Sequence, residues 1–192
     1  ASEVLAPLNH VGDREGCKIV DGRVKTPTGF SEAWDKLREA GWKALAVDPA
    51  FDGQGAPKML WCAVEEFLCG SNPAFNMYPG LAHGAGEVIE HFGTERQKQL
   101  FVHALFHGKW GGTMCLTEPH CGTDLKLMKT KAVPQDDGTY RITGTKIFIS
   151  GGDHDMTDNI IHMVIAKVPD EDGKLANDLS TVNFFMVPKM LV

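Results

Sequence analysis

From Phe30 onward the apolar positions Phe30, Trp34 and Leu37 recur at helical spacing, with Ser31 near the start and Gly41 placed to close the helix in a left-handed turn. A short amphipathic helix is predicted there. The opening stretch to Lys25 mixes charges with Gly12, Gly16 and Gly22, has no clear period, and is expected to be an extended arm or loop. Asp48 to Lys58 carries two prolines and two glycines and reads as a loop. Leu60, Ala63, Val64, Phe67 and Leu68 then fall at i, i+3, i+4, i+7 and i+8, the pattern of a second helix with one buried stripe. A third helix runs through Val88, Ile89 and Phe92 to Gly93. A fourth starts at Thr94, where Gln97 completes a capping box ahead of Leu100, Phe101 and Leu105. Residues before Trp110 are thus expected to be helical.

After Gly111 and Gly112 the period changes. β-Branched and aromatic residues come in short runs separated by turn signals such as Asp136-Asp137-Gly138 and Glu171-Asp172-Gly173. Strands are predicted around Met114 to Leu116, Lys129 to Val133, Tyr140 to Ile149, Ile160 to Val168 and Val182 to Val187. The connections between consecutive strands are too short for helical crossovers, so antiparallel pairing is expected. The fold class is α+β: an N-terminal helical domain over 1–111 and a β domain over 112–192. No internal repeat or low-complexity tract interrupts either.

Composition narrows the function classes. At 192 residues, 43% hydrophobic and 23% charged, the chain reads as an ordinary globular protein. Its longest apolar run is far shorter than the ~18 residues that span a bilayer, so no membrane insertion is expected. No leader is recognisable. A formal charge of -6 argues against general phosphate-backbone binding, so no nucleic acid is expected; Lys126, Lys129 and Lys131 read as a solvated face. The five cysteines, at 17, 62, 69, 115 and 121, form no C-x-x-C pair and are expected to be free thiols in a reducing cytoplasm.

Several candidate chemistries are set aside. His103 and His107 stand at i, i+4, a zinc-binding spacing, but Ala104, Leu105 and Phe106 between them supply no Glu base, and a solvated or capped pair is expected. His120 beside Cys121 suggests a thiol nucleophile, yet no orienting acid follows in a recognisable pattern. No metal site is assigned. The glycines at 80, 84 and 86 do not follow a strand in the G-x-G-x-x-G order, and Gly144-Thr145-Lys146 lacks phosphate-loop spacing.

The informative segment is Met114-Cys115-Leu116-Thr117-Glu118-Pro119-His120-Cys121-Gly122-Thr123-Asp124. Read alone, T-E-P-H-C-G-T-D is also what a capped loop looks like. It resembles the L-T-E-P-x-x-G-[ST]-D signature of acyl-CoA dehydrogenases, at the entry to a β domain that follows a helical one. The run from Tyr140 through Gly144, Lys146, Phe148, Ile149 and Ser150 resembles that family's later Y-x-I-x-G-x-K-x-[WF]-I-[ST] strand. Two motifs in the right order are far harder to obtain by chance than one. The spelling, with D-H-D-M-T-D-N after the second motif, is most similar to the subgroup that includes 3-methylmercaptopropionyl-CoA dehydrogenases and long-chain relatives.

The chemistry of a flavin ring explains such residues. Its faces are apolar and one edge carries carbonyls and an N–H, so its site needs backbone partners and a flat apolar wall. Pro119 blocks continuation of a ladder and Gly122 allows close backbone approach, freeing N–H groups for a ligand. The resemblance implies FAD as cofactor, with Met114, Leu116 and Thr117 at the pyrimidine edge. It places Gly122 and Thr123 in the binding loop, Thr123 toward phosphate-bearing ligand groups, and Phe148, Ile149 and Ser150 along the ring and its N5. Most relatives carry Trp at the position of Phe148, which lacks the indole donor. Met77, Tyr78 and Leu81 resemble the region that lines the acyl channel, with core packing as the plainer alternative.

The resemblance further implies a truncated, antiparallel β-barrel-like second domain and an acyl-CoA thioester as substrate. An electron-transfer flavoprotein is the implied acceptor, and the assembly a homodimer or homotetramer in the cytoplasm. The proton-abstracting Glu belongs to a C-terminal helical domain in that family, so no catalytic residue is assigned within this chain, which reads as a fragment. Glu118 is given a place in the loop structure, not in proton abstraction. Acyl-CoA oxidases and a flavin-bearing, DNA-associated stress protein share the fold and stand as alternatives.

Overall fold

The computed structural model describes residues 1–192. The helical part consists of α1 (Leu5–Glu15), α2 (Phe30–Glu39), α3 (Lys58–Ser71) and α4 (Pro73–Phe92). A further helical run is α over Glu95–Gln97 (α5), π over Lys98–Val102 and α again over His103–Phe106 (α6). Two corrections concern the start of the chain. The expected arm is α1 followed by an antiparallel hairpin of β1 (Lys18–Val20) and β2 (Arg23–Lys25), so the region before Trp110 is not wholly helical. Only Leu5 of α1 is buried, which leaves too thin an apolar stripe for periodicity to reveal.

Local chemistry accounts for the helix ends. Asn72 accepts a hydrogen bond from the Phe75 N–H at 2.9 Å and caps α4. Thr94 and Gln97 form the expected capping box, and Gly41 sits past α2 at φ +73°. The apolar stripe of α3 is a third correction: Leu68 is buried, but Leu60 and Phe67 are 51% and 68% exposed. Phe92 of α4 is 85% exposed as well. Periodicity reports that a helix has an apolar face; which neighbour covers that face is a tertiary matter.

Strands β3 (Trp110–Cys115), β4 (Lys131–Pro134), β5 (Tyr140–Thr143), β6 (Asn159–Lys167) and β7 (Val182–Pro188) form one sheet. The sheet is mixed and open, where an antiparallel barrel-like one was expected. β3 pairs parallel to β6 with Thr113 opposite His162; β7 pairs antiparallel to β6; and Lys131 of β4 meets Lys167 in parallel. The consecutive pairs β4–β5 and β6–β7 are antiparallel, as expected. Short loops between consecutive strands do not decide the pairing when β3 skips to β6, because the intervening segment is long enough for a parallel return. The expected long strand from Tyr140 also stops at Thr143, and 144–150 is irregular.

The sheet and helices share a core. Ile161 and Met163 of β6 pack with Ala85, Ile89, Phe101, Val102, Leu105 and Phe106, while Trp34, Phe30 and Phe75 form a second cluster with Met156. Gly112 allows the close approach of α4 to β3, since a Cβ there would lie 2.8 Å from Ala85 Cβ and 2.9 Å from Ala82 Cα. That approach sets α4 alongside the strand that leads into the first motif.

Candidate functional site

β3 ends at Cys115, and the chain enters a tight turn closed from both sides. The Glu118 N–H donates to Cys121 O at 2.8 Å and the Cys121 N–H to Glu118 O at 3.2 Å. Glu118, only 3% exposed, is the anchor of this turn. Its carboxylate accepts from the N–H groups of Lys129 (2.8 Å) and Thr130 (3.0 Å) and from Lys146 Nζ (3.0 Å). Burial raises the carboxyl pKa, but the hydrogen bonds from Thr130, Lys129 and Lys146 outweigh it and hold the group at about 2. A carboxylate held ionised by these bonds is a structural tie and a poor proton acceptor.

Lys146 brings the two motifs together. Its ammonium also donates to Leu116 O at 2.9 Å, and the neighbouring Ile147 N–H donates to Thr117 O at 2.9 Å. The carbonyls of Leu116 and Thr117 are thereby used up. No acceptor within the chain meets the backbone N–H of Leu116, Thr117, Gly122, Thr123, Phe148, Ile149 or Ser150. At Leu116, Thr117 and Ile149 the N–H is therefore free while the carbonyl is engaged, a polarity suited to an electron-rich ligand edge.

An apolar face stands beside those donors. Phe148 is 88% exposed and holds φ +56°, a left-handed conformation that is a true outlier for an aromatic residue. Met114 faces solvent from β3, and Leu116, Thr117, Ile149 and Ser150 are half-buried. Thr123 is exposed just past Gly122. Among the proposed channel residues, Tyr78 packs on the second motif, its Cδ1 3.1 Å from where a Cβ on Gly151 would stand. Leu81 lies along β3 with its carbonyl facing Gly112, whereas Met77 is 51% exposed. Burial and the Cys17 thiol, 3.9 Å from the hydroxyl, push Tyr78 up to about 12, so it stays a neutral donor.

The D-H-D stretch after the second motif clamps three parts of the molecule. Asp153 pairs with Lys189 beyond β7, and Asp155 accepts from Thr26 N and Oγ1 (3.0 and 2.8 Å) and pairs with Lys25 at 3.2 Å. Between them the His154 ring lies against Tyr78, with Trp34 beyond it. Burial, opposed by Asp153, lowers His154 to about 4 and keeps it neutral. A groove of about 400 Å³ opens beside this clamp, lined by Arg23, Lys25, Asp153, Asp155 and Lys189. Its salt-bridged walls lack the flat apolar surface that stands at Phe148.

Residues 16–109 match the family model described as acyl-CoA dehydrogenase, N-terminal domain, and residues 113–191 match the acyl-CoA dehydrogenase middle domain. The chain belongs to the acyl-CoA dehydrogenase family. It is 40% identical over 189 residues to the 3-methylmercaptopropionyl-CoA dehydrogenase of Ruegeria pomeroyi, covering 98% of this chain and 32% of that protein. It is 41% identical over 169 residues to a broad-specificity linear acyl-CoA dehydrogenase of Mycobacterium tuberculosis, covering 88% of this chain and 27% of that one. This family member therefore spans about a third of the length of its curated relatives. The solved butyryl-CoA dehydrogenase of Megasphaera elsdenii superposes with a TM-score of 0.75 at 27% identity, over 96% of this chain and 44% of that one. A structure described as an electron transferring flavoprotein of Acidaminococcus fermentans gives 0.77 at 25%, over 97% and 44%.

Within this acyl-CoA dehydrogenase chain, Lys146 and His154 are residues to which sequence reasoning assigned no role. The signal was present in part for Lys146: a lysine at fixed spacing in an otherwise half-buried segment needs an acid, and the other motif holds two, Glu118 and Asp124. His154 carried no comparable signal.

Proposed function

We propose that this chain is the flavin-contacting part of a longer, FAD-dependent acyl-CoA dehydrogenase that converts an acyl-CoA thioester to a trans-2-enoyl-CoA. The observation that carries the reading is the meeting of two motif segments, with the N–H groups of Leu116 and Thr117 free and their carbonyls engaged, beside the exposed Phe148 ring. FAD, when bound, supplies the acceptor for the substrate's β-hydride at N5. The N–H groups of Leu116 and Thr117 would hold the pyrimidine edge as preorganised donors, which favours a gain of negative charge there. Phe148 and Ile149 would wall the ring, Ser150 would meet the N5 side, Thr123 would face phosphate-bearing groups, and Met77, Tyr78 and Leu81 would border the acyl chain.

Glu118 is committed to Lys146, so the α-proton goes to a carboxylate outside these residues. The electron acceptor is an electron-transfer flavoprotein, and the enzyme works as a cytoplasmic homodimer or homotetramer.

The longer protein should purify yellow and release FAD on denaturation. Anaerobic addition of an acyl-CoA should bleach the flavin, with dye reduction and no peroxide. A colourless protein overturns the flavin assignment, and stoichiometric peroxide in air makes it an oxidase. A polypeptide ending at Val192 by its own stop codon, with full dehydrogenase activity, would refute the fragment reading.

A further inference from the structure

We infer that Glu118, His120 and Cys121 form a binding site for a zinc-class divalent cation. One carboxylate oxygen, one imidazole nitrogen and one thiol sulfur from these residues lie within 4.8 Å of one another. They come from a single four-residue turn that two backbone hydrogen bonds close and Pro119 stiffens. A tetrahedral zinc ion, with bonds of about 2.0–2.3 Å, holds its ligand atoms roughly 3.3–3.8 Å apart. Side-chain rotations of about 1 Å therefore complete the set, with water in the fourth position.

The donor atoms have the capacity to bind. Glu118 Oε1 serves Lys146 and Thr130, whereas Oε2 accepts one N–H, from Lys129, and faces His120 Nε2 at 3.5 Å. Oε2 thus keeps a lone pair on the side where the imidazole lies. His120 Nε2 also stands 2.9 Å from Leu127 O; ligation exchanges that hydrogen bond for the metal and leaves the ring proton on Nδ1. Cys121 has neither a disulfide nor a hydrogen-bond partner for its sulfur. On binding its S–H bond breaks, the proton leaves to solvent and an S–metal bond forms.

A mixed S, N, O set selects a borderline-soft ion over magnesium or calcium. With Glu118 as buried floor and His120 and Cys121 at the rim, entry is from solvent. The family signature leaves these two positions open, and this chain fills them with His and Cys. Occupancy would brace the Thr117–Thr123 segment.

The test is a cadmium titration of the protein read by thiolate-to-metal ultraviolet absorption, with zinc as competitor. Cys17, Cys62 and Cys69 are exposed and are replaced by Ser first, to remove competing thiols. That triple variant should keep one equivalent of saturable binding and the absorption band. Adding Cys121→Ser should abolish the band, and adding His120→Ala instead should weaken cadmium at least about tenfold. Alkylation of Cys121 in the folded triple variant, where Cys115 is buried, gives the same readout without a substitution. No saturable binding in the triple variant, a band that survives loss or alkylation of Cys121, or unchanged affinity in His120→Ala would each overturn the site.

Discussion

β6 and the two motif segments lie in the same domain yet use the backbone in opposite ways. β6 is paired with β3 and β7 along most of its length, and Ile160, Ile161 and Ala166 are sealed from water. At 116–123 and 146–150 there is no ladder; an ion pair and a few polar bonds hold the shape, and a row of N–H groups has no acceptor within the chain. The first arrangement derives rigidity from apolar burial and hydrogen bonds that satisfy one another. The second keeps its donors in reserve for a ligand, and its stability rests on one buried carboxylate.

The largest expected effect tests that last point. Glu118→Ala leaves Lys146 and two N–H groups without their acceptor and should lower stability by about 3–5 kcal/mol in urea unfolding. A loss below about 1 kcal/mol would mean that the turn stands without its carboxylate.

Acidification probes the packing around both regions, through α4 and the D-H-D clamp. His83 and His154 are both held near 4, chiefly by burial, and stay neutral in the fold, while in the unfolded chain they titrate near 6.5. Between those values the unfolded state binds more protons, so stability is full above pH 6.5 and falls as pH drops toward 4. The loss should be on the order of 1–3 kcal/mol across that window, read from urea unfolding at a series of pH values. His83→Gln with His154→Gln should flatten the slope.

Gly112→Ala presses a methyl group against Ala85 and the α4 backbone. An overpacked contact of that kind costs about 1–3 kcal/mol, read as a lower Tm, with the flavin segments unaltered in fluorescence or absorbance. The smallest effect on stability belongs to Phe148→Gly, which relieves a left-handed aromatic residue and should be neutral or stabilising by up to about 1–2 kcal/mol. FAD retention should fall in the same variant. Retention equal to the parent's would remove the Phe148 wall from the proposed site.

Legibility followed the range of the interaction. The α2 turn at Gly41 and the capping box at Thr94 were readable because each is settled within a few residues. The strands of the main sheet were readable to within a few residues, except that the run from Tyr140 ends at Thr143, where the chain leaves the sheet for Thr117 and Glu118; the hairpin of β1 and β2 was not. Helix α1 was missed because one buried leucine makes no period. At the candidate site the motifs named the segments. The bond from Lys146 to Glu118, and the consequent division between engaged carbonyls and free N–H groups, joins residues far apart in the chain.

By itself the sequence determined where most helices and the strands of the main sheet form, where turns fall, and which two segments carry the family's signature, because period, capping and turn chemistry act between near neighbours. The tertiary structure alone decided that β3 runs parallel to β6, that the apolar face of α3 stays largely exposed, and that the motifs meet through a buried ion pair. Those outcomes depend on which distant surface covers each apolar face and which distant partner satisfies each polar group, and no local pattern encodes either.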